Sequence, residues 1–312
     1  TISVRKLKLP RPLLYEAWSR APIPRLNVKG HDIVHSTTIV PPPASNAPLV
    51  VSVHDLAFRR FPERFPGRAR RLFERSWRRV LERADAVLCP SAATSADLRA
   101  GGLAADRLHL VPLGHDPRPV TKEAGLQARQ RFGIDGSFVL AAGTLEPRKN
   151  IPTLIDAFAR IASATNTQLV LAGPTGWGIT PQDLLHPLDT DTKNRVVITG
   201  AVTIDELAAL YSEATVFCYP SLLEGFGLPV LEAMSYRTPV VTSKGTSTEE
   251  VAGDAALAID PNSVGDLADA LRTVLTDRHF ARELAQRGYE RSTAFSWDSA
   301  ASAIVAVYRS LL

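Results

Sequence analysis

Two acids bracket a glycine-rich turn in the segment Glu224-Gly-Phe-Gly-Leu-Pro-Val-Leu-Glu232. The segment follows the apolar run Val216 to Tyr219 and enters a helical pattern at Pro229. Proline suits a first helical turn, and Gly225 and Gly227 let the backbone pass close to a ligand while the unpaired amides of the helix start attract negative charge. A diphosphate fits that seat. Glu224 lies before the helix and Glu232 within it, so the two carboxylates can meet hydroxyl-rich groups on opposite sides of the phosphates.

Arg148 and Lys149 form the next chemically capable pair. They follow the run Phe138 to Ala142 and precede a helical pattern, which puts two cations at the carboxyl edge of a sheet, where open α/β sheets bind ligands. Adjacent cations are common on any surface. Gly143 and Thr144 before them and Asn150 after them favour the ligand-binding alternative. His54 ends the run Leu49 to Val53 and His115 follows Pro112-Leu-Gly114. A histidine in such a place is a structural hydrogen-bonding residue or a site residue, and Asp55 beside His54 suits a helix cap. The two histidines do not have the spacing of a metal site, and no His/Cys cluster with ligand spacing occurs, so no metal ligands are assigned.

The elements that must position these groups are legible from periodicity. Apolar, β-branched runs at Asp32 to Ser36, Leu49 to Val53, Ala86 to Cys89, Leu108 to Val111, Phe138 to Ala142, Gln168 to Ala172, Val196 to Thr199, Val216 to Tyr219 and Val240 to Ser243 alternate with helical patterns. Examples of the latter are Ile151 to Ile161, Ile204 to Ser212 and Val264 to Leu275. That alternation predicts parallel sheets covered by helices, an α/β chain. At 312 residues, two domains are expected. The polar, proline-rich stretch between Pro117 and Asp135 is the expected linker. The first domain lacks an opening strand and glycine turn, which are expected to precede residue 1.

Composition narrows the function. No apolar run approaches the roughly 18 residues of a membrane span. Cys89 and Cys218 sit in apolar runs and read as buried free thiols, so a cytoplasmic location is expected. The net charge of +4 conceals a basic stretch with ten arginines from Arg59 to Arg83. It reads as a solvated helix laced with Glu/Arg pairs or as a face for an anionic membrane surface. Nucleic acid is not expected, because the stretch lacks interleaved stacking aromatics and any DNA-reading motif.

The Glu-x7-Glu element resembles the diagnostic segment of the GT-B retaining glycosyltransferases of family 4. Six further segments resemble the same family in the same order: Val53-His-Asp-Leu, Val111-Pro-Leu-Gly-His115, Ala142-Gly-Thr-Leu-Glu-Pro-Arg-Lys-Asn150, Leu171-Ala-Gly-Pro174, Thr199-Gly-Ala-Val202 and Pro239-Val-Val-Thr-Ser243. The resemblance implies two Rossmann-like domains with parallel sheets facing across a cleft. An acceptor-side domain would span residues 1–120, a nucleotide-sugar domain 135–295, and a final helix, 296–312, would cross back to the first domain.

It also implies roles. Glu224 would contact hydroxyls of the donor sugar and Glu232 the ribose, with backbone groups of Gly225, Phe226, Gly227 and Leu228 completing the sugar and phosphate contacts. Arg148 and Lys149, with Gly143 and Thr144, would hold the diphosphate in place of a metal. Gly200, Ala201 and Val202 would meet the base through backbone atoms, which leaves GDP- and UDP-linked donors both open. His54 would lie near the donor sugar, and His115 on a loop that closes on it.

The implied reaction transfers a mannose-like or glucose-like hexose, with retention and no cofactor, to a glycan or lipid-linked acceptor in cell-envelope synthesis. The leaving phosphate itself would accept the acceptor's proton. A peripheral position at the inner face of the plasma membrane is compatible with the arginines. A nucleotide-sugar epimerase, a glucan synthase and a non-catalytic nucleotide-sugar-binding module are the alternatives.

Overall fold

The computed structural model describes residues 9–21, 23–26, 30–43, 47–176, 178 and 180–312. The chain divides into two compact units, one of Thr1–Pro112 with Ala300–Leu312, the other of Leu113–Ser299.

The first unit carries four parallel strands, β1 (Val34–Ser36), β2 (Leu49–Ser52), β3 (Ala86–Cys89) and β4 (Leu108–Leu110), adjacent in that order. Its inner strands are apolar on both faces, as strands covered on both sides must be. Val51 of β2 and Val87 and Cys89 of β3 face Trp77 and Val80 of the helix Gly67–Arg83. Val50, Ala86 and Leu88 face the opposite way, onto Ala300 and Val307 of the helix Trp297–Ser310. The period of two in the strands therefore sorts the unit into two cores. His35, in the middle of β1, pins that last helix: its Nδ1 lies 2.5 Å from Tyr308 Oη and its Nε2 2.9 Å from Ser52 Oγ.

Residues 1–8 lie outside the described residues, and Pro10 and Pro12 stand at the start of the first helix. The amphipathic piece after residue 8 forms this helix, Arg11–Arg20. The basic stretch is helical over Ala57–Arg60 and Gly67–Arg83. Arg59 pairs with Glu74 at 2.7 Å, Arg75 with Glu16 at 2.9 Å, and Arg79 donates to the Ser19 carbonyl. Arg68, Arg70, Arg71, Arg78 and Arg83 are exposed and form no ion pair among the described residues.

The second unit holds six strands: β5 (Phe138–Ala142), β6 (Gln168–Ala172), β7 (Val196–Gly200), β8 (Val216–Tyr219), β9 (Val240–Ser243) and β10 (Leu257–Ile259). All pairs are parallel and the spatial order is β10-β9-β8-β5-β6-β7. Val139 and Ala141 pack on the helices Ile151–Ala159 and Val264–Thr276, while Phe138, Leu140 and Ala142 pack on Ile204–Glu213 and Leu228–Ser235. Strand order reverses between β5 and β8. That switch point is where an open parallel sheet leaves a crevice at its carboxyl edge.

Two features depart from the sequence reading. The polar stretch expected as a linker contains a helix, Lys122–Phe132, because Thr121 caps its start by accepting from the Ala124 amide and Gly133 ends it in the left-handed region at φ 63°. β10 (Leu257–Ile259) is a further strand, outside the apolar runs read from the sequence.

Burial, and then the neighbouring His54, hold the His35 pKa below its ordinary 6.5. The folded chain thus binds this proton less tightly than the unfolded chain, so the stability due to neutral His35 is full above pH 6.5 and is lost as pH falls through the depressed value. Chemical unfolding from pH 7.5 to pH 5 should show wild type losing stability more steeply than His35→Gln. Parallel pH profiles would remove the assignment.

Candidate active site

The loops that leave β5 and β8, on either side of the switch point, are sewn together by backbone. After β5 the chain makes a one-turn 3-10 helix at Pro147–Lys149. The Arg148 carbonyl then accepts from the Leu222 amide at 2.8 Å in the loop after β8, with Ser221 Oγ 3.0 Å away. Asn150 sits in the left-handed region at φ 57°, its Nδ2 donating to the Pro261 carbonyl at 2.6 Å. These bonds fix both loops before any side chain is considered.

Glu224 is the centre of what they hold. Its Oε2 lies 2.6 Å from Arg148 Nη1, and its Oε1 lies 2.7 Å from Lys149 Nζ, 2.6 Å from Ser221 Oγ and 3.0 Å from Tyr219 Oη. Lys149 Nζ also donates to Tyr219 Oη and lies 4.7 Å from the centre of that ring. Arg148 Nε pairs with Glu146 at 2.6 Å. The side chains of Glu224 and Lys149 are only 10% and 9% exposed, so this is a buried ion pair rather than a surface one.

The charges decide each other's protonation. Burial alone would push the Glu224 carboxyl up, but Lys149 and Arg148 together bring it below the ordinary carboxylate range. Burial lowers the Lys149 pKa, against the pull of Glu224. Burial works to lower Arg148 as well, yet Glu224 and Glu146 outweigh it and raise the guanidinium pKa. Burial raises the Tyr219 phenol well above its ordinary value, so its hydroxyl stays a donor.

Glu224 leads straight into the helix Leu228–Ser235. Gly227 stands at φ 115°, and a Cβ there would come within 2.9 Å of Thr248 Cγ2, so glycine is required twice over. Ser247 Oγ holds the Glu224 carbonyl at 2.7 Å, and Phe226 is buried edge-on against Phe295 at 5.8 Å. The first turn of this helix, with Pro229 in it, leaves the amides of Gly227 and Leu228 without an intrahelical acceptor, as every helix start does. Gly143 stands at φ 123°, a backbone conformation that favours glycine. Thr144 follows it, half-buried.

Glu232 belongs to a second cluster. Its Oε2 accepts from Tyr211 Oη at 2.9 Å. With His115, Arg118, Leu207, Tyr236 and Trp297 it lines a cavity of about 220 Å³. Ser235 Oγ donates to the Glu232 carbonyl at 2.6 Å, so it accepts from His115 Nε2 at 3.0 Å, which puts the ring proton on Nε2. Burial lowers the His115 pKa against the raising effect of Glu232 and Asp116. Gly200, Ala201 and Val202 close β7 and lead through the capping Thr203 into the helix whose Ile204, Leu207 and Ala208 wall the same cavity.

Thus Arg148, Lys149 and Glu224 meet, and Glu232 and His115 line one cavity. His54 belongs to the first unit, exposed at the end of β2, where its carbonyl accepts from Thr94 Oγ1. Asp55 beside it accepts from the Ala57 amide at 2.9 Å. Glu146, Tyr219, Ser221 and Tyr211 escaped the sequence reading. The Tyr219-Pro-Ser221 run just before Glu224 was the available signal for two of them.

Comparison with known proteins now decides the family. Residues 127–291 match the family described as Glycosyl transferases group 1, and residues 2–118 match Glycosyltransferase Family 4. The chain belongs to the group 1 glycosyl transferases. It is 33% identical over 270 residues to O-antigen chain mannosyltransferase B of Escherichia coli, covering 84% of this chain and 70% of that protein. It spans between 23% and 55% of the further mannosyltransferases it matches.

Among solved structures, this glycosyltransferase resembles sucrose-phosphate synthase from Thermosynechococcus elongatus, with TM-score 0.78 and 26% identity over 97% of this chain and 80% of that one. HepE of Anabaena, solved in complex with UDP and glucose, has TM-score 0.75 and 20% identity over 96% and 82%. The fold is GT-B, built from two Rossmann-like parallel-sheet units.

Removing one partner of a buried pair leaves the other charge uncompensated, a cost of about 3 to 5 kcal/mol. Glu224→Gln should therefore lower the urea-unfolding free energy by about 3 kcal/mol at pH 7. Because the folded-state pKa of Glu224 is depressed, wild type should hold that advantage above pH 4.5 and lose it as pH falls further. An unchanged unfolding midpoint would mean that the cluster contributes nothing to folding.

Proposed function

We propose that this glycosyltransferase moves a hexose, mannose-like or glucose-like, from a nucleoside-diphosphate sugar to an acceptor hydroxyl with retention at the anomeric carbon. The observation that carries this reading is the convergence of Arg148, Lys149 and Glu224 beside the helix start at Leu228, at the switch point of the sheet. The mannosyltransferase names of its relatives support the mannose-like reading. HepE, whose structure holds UDP and glucose, supports a nucleotide-sugar donor for the fold.

Two cations and the first-turn amides suit the charge that develops on a departing diphosphate, which is catalysis by preorganised electrostatics. Lys149 and Arg148 supply in side chains the positive charge that other transferases draw from a divalent ion. Glu224 is poorly suited to be a nucleophile, because both of its oxygens are committed to cations. That favours a front-face reaction in which the leaving phosphate takes the acceptor's proton. Glu224 would instead turn toward hydroxyls of the donor sugar.

Incubation with GDP-mannose or UDP-glucose, read by nucleotide release, tests the assignment. Lys149→Ala and Glu224→Ala should each lower turnover by about 10² to 10³, and EDTA should leave the rate unchanged. Near wild-type rates in either variant would overturn the site. Conversion of labelled donor without acceptor would point to an epimerase.

The exposed arginines Arg68, Arg70, Arg71, Arg78 and Arg83 favour an anionic, lipid-linked acceptor met at a membrane surface. Among the described residues no helix is long and apolar enough to cross a membrane, so the contact would be peripheral. The protein should co-sediment with phosphatidylglycerol vesicles at low salt and not with phosphatidylcholine vesicles, and added salt should release it. Equal binding to both kinds of vesicle, or to neither, would remove the proposal.

A further inference from the structure

The cavity beside Glu232 contains a buried group that the proposed reaction does not use. Tyr211 is 1% exposed, at the end of the helix Ile204–Glu213. Its ring is clamped, stacked on Tyr236 at 6.0 Å and 9° and edge-on to Phe217 at 5.2 Å and 71°. Tyr236 is held in turn, since its hydroxyl accepts from the Arg118 amide at 2.9 Å and donates to the Arg118 carbonyl at 3.0 Å. Tyr211 Oη therefore has one place to point, and Glu232 Oε2 is there at 2.9 Å. Burial, and then Glu232 itself, raise the phenol pKa well above its ordinary value, which keeps the hydroxyl a donor at any physiological pH.

A glutamate side chain has three rotatable bonds, and one that faces a cavity samples several rotamers unless something stops it. A fixed donor on one oxygen leaves a single arrangement, with the second oxygen presented as an acceptor. Affinity rises because the ordering cost is met before the ligand arrives. A site built to accept from a hydroxyl also discriminates strongly against an analogue that lacks it, since its own polar atom is then left unpaired.

We propose that Tyr211 is a positioning residue: by donating to Glu232 Oε2 it fixes the carboxylate so that Oε1 accepts a ribose hydroxyl, and the site thereby distinguishes ribonucleoside from deoxyribonucleoside diphosphates. The proposal rests on the reading of Glu232 as the ribose-binding acid. It adds that the discrimination is set by a phenol that never touches the nucleotide.

Calorimetric titration of the full chain with GDP, UDP and their 2′-deoxy and 3′-deoxy counterparts tests it. Wild type should bind the better of GDP and UDP about 10-fold more tightly than a deoxy form, the worth of one charge-assisted hydrogen bond. Tyr211→Phe keeps the ring packing and should reduce that ratio to about 3-fold or less, with deoxy affinity unchanged. In Glu232→Gln the ratio should collapse, and adding Tyr211→Phe should change nothing further, the non-additivity of two residues acting through one contact. A merely structural Tyr211 would weaken ribose and deoxyribose forms equally, and that result overturns the proposal. If Tyr211→Phe keeps the wild-type ratio while Glu232→Gln loses it, the ribose reading stands and the role of Tyr211 falls. If wild type itself binds both forms alike, the ribose reading is wrong and the proposal goes with it.

Discussion

The buried charges of the second unit are centred on one carboxylate. Glu224 takes Arg148 on one oxygen and Lys149 on the other, in a place almost closed to water. Ion pairs so buried are weak stabilisers against an apolar alternative, because desolvation consumes most of the attraction, but they are severe on any arrangement that separates the partners. The pair therefore works as a register device: the loops after β5 and β8 can pack in one way only if both cations are to find their counter-charge. With Glu146 on the far side of Arg148, the two positive and two negative side chains balance.

That cluster exists because of strand order. In the second unit β5 continues outward through β6 and β7, and the chain then returns to place β8 on the other side of β5. Loops from neighbouring strands that lead away in opposite directions leave a gap at the carboxyl edge. The Arg148 carbonyl, accepting from the Leu222 amide, ties the loops after β5 and β8 together there. The chemistry of residues 148, 149 and 224 is thus a consequence of topology as much as of side-chain type.

The parts of this arrangement that were legible in the sequence are the local ones. Gly227 and Pro229 announce a helix start through their own backbone limits, and nine of the ten strands announce themselves as runs of β-branched residues. The Arg148–Lys149 pair was legible as two cations at a strand end, though not as partners of Glu224, because no periodicity encodes a contact between residues so far apart along the chain. The same holds for Tyr211 and Glu232, which sit on consecutive helices, and for His35 and Tyr308, at opposite ends of the sequence. The helix Lys122–Phe132 was missed for a different reason. Its buried face is made of small residues, Gly125 and Ala128, whose packing against a neighbouring helix leaves no apolar stripe to read.

The two glutamates of the Glu-x7-Glu element differ in a way their symmetry in the sequence conceals. Glu224 meets Arg148, Lys149, Ser221 and Tyr219, so its hydrogen-bonding capacity is nearly filled and any new partner must displace an old one. Among the described residues, the Glu232 side chain is engaged by Tyr211 on a single oxygen. A carboxylate with a vacant oxygen can accept a ligand hydroxyl at once, whereas a saturated one responds only when a competing anion draws its cations away. A diphosphate is such an anion. If it binds Arg148 and Lys149, it loosens Glu224 in the same step, and the acid becomes available to hydroxyls only after the phosphates are in place. In the proposed reaction the phosphates would then bind before the sugar is held, because of how many bonds each carboxylate already makes.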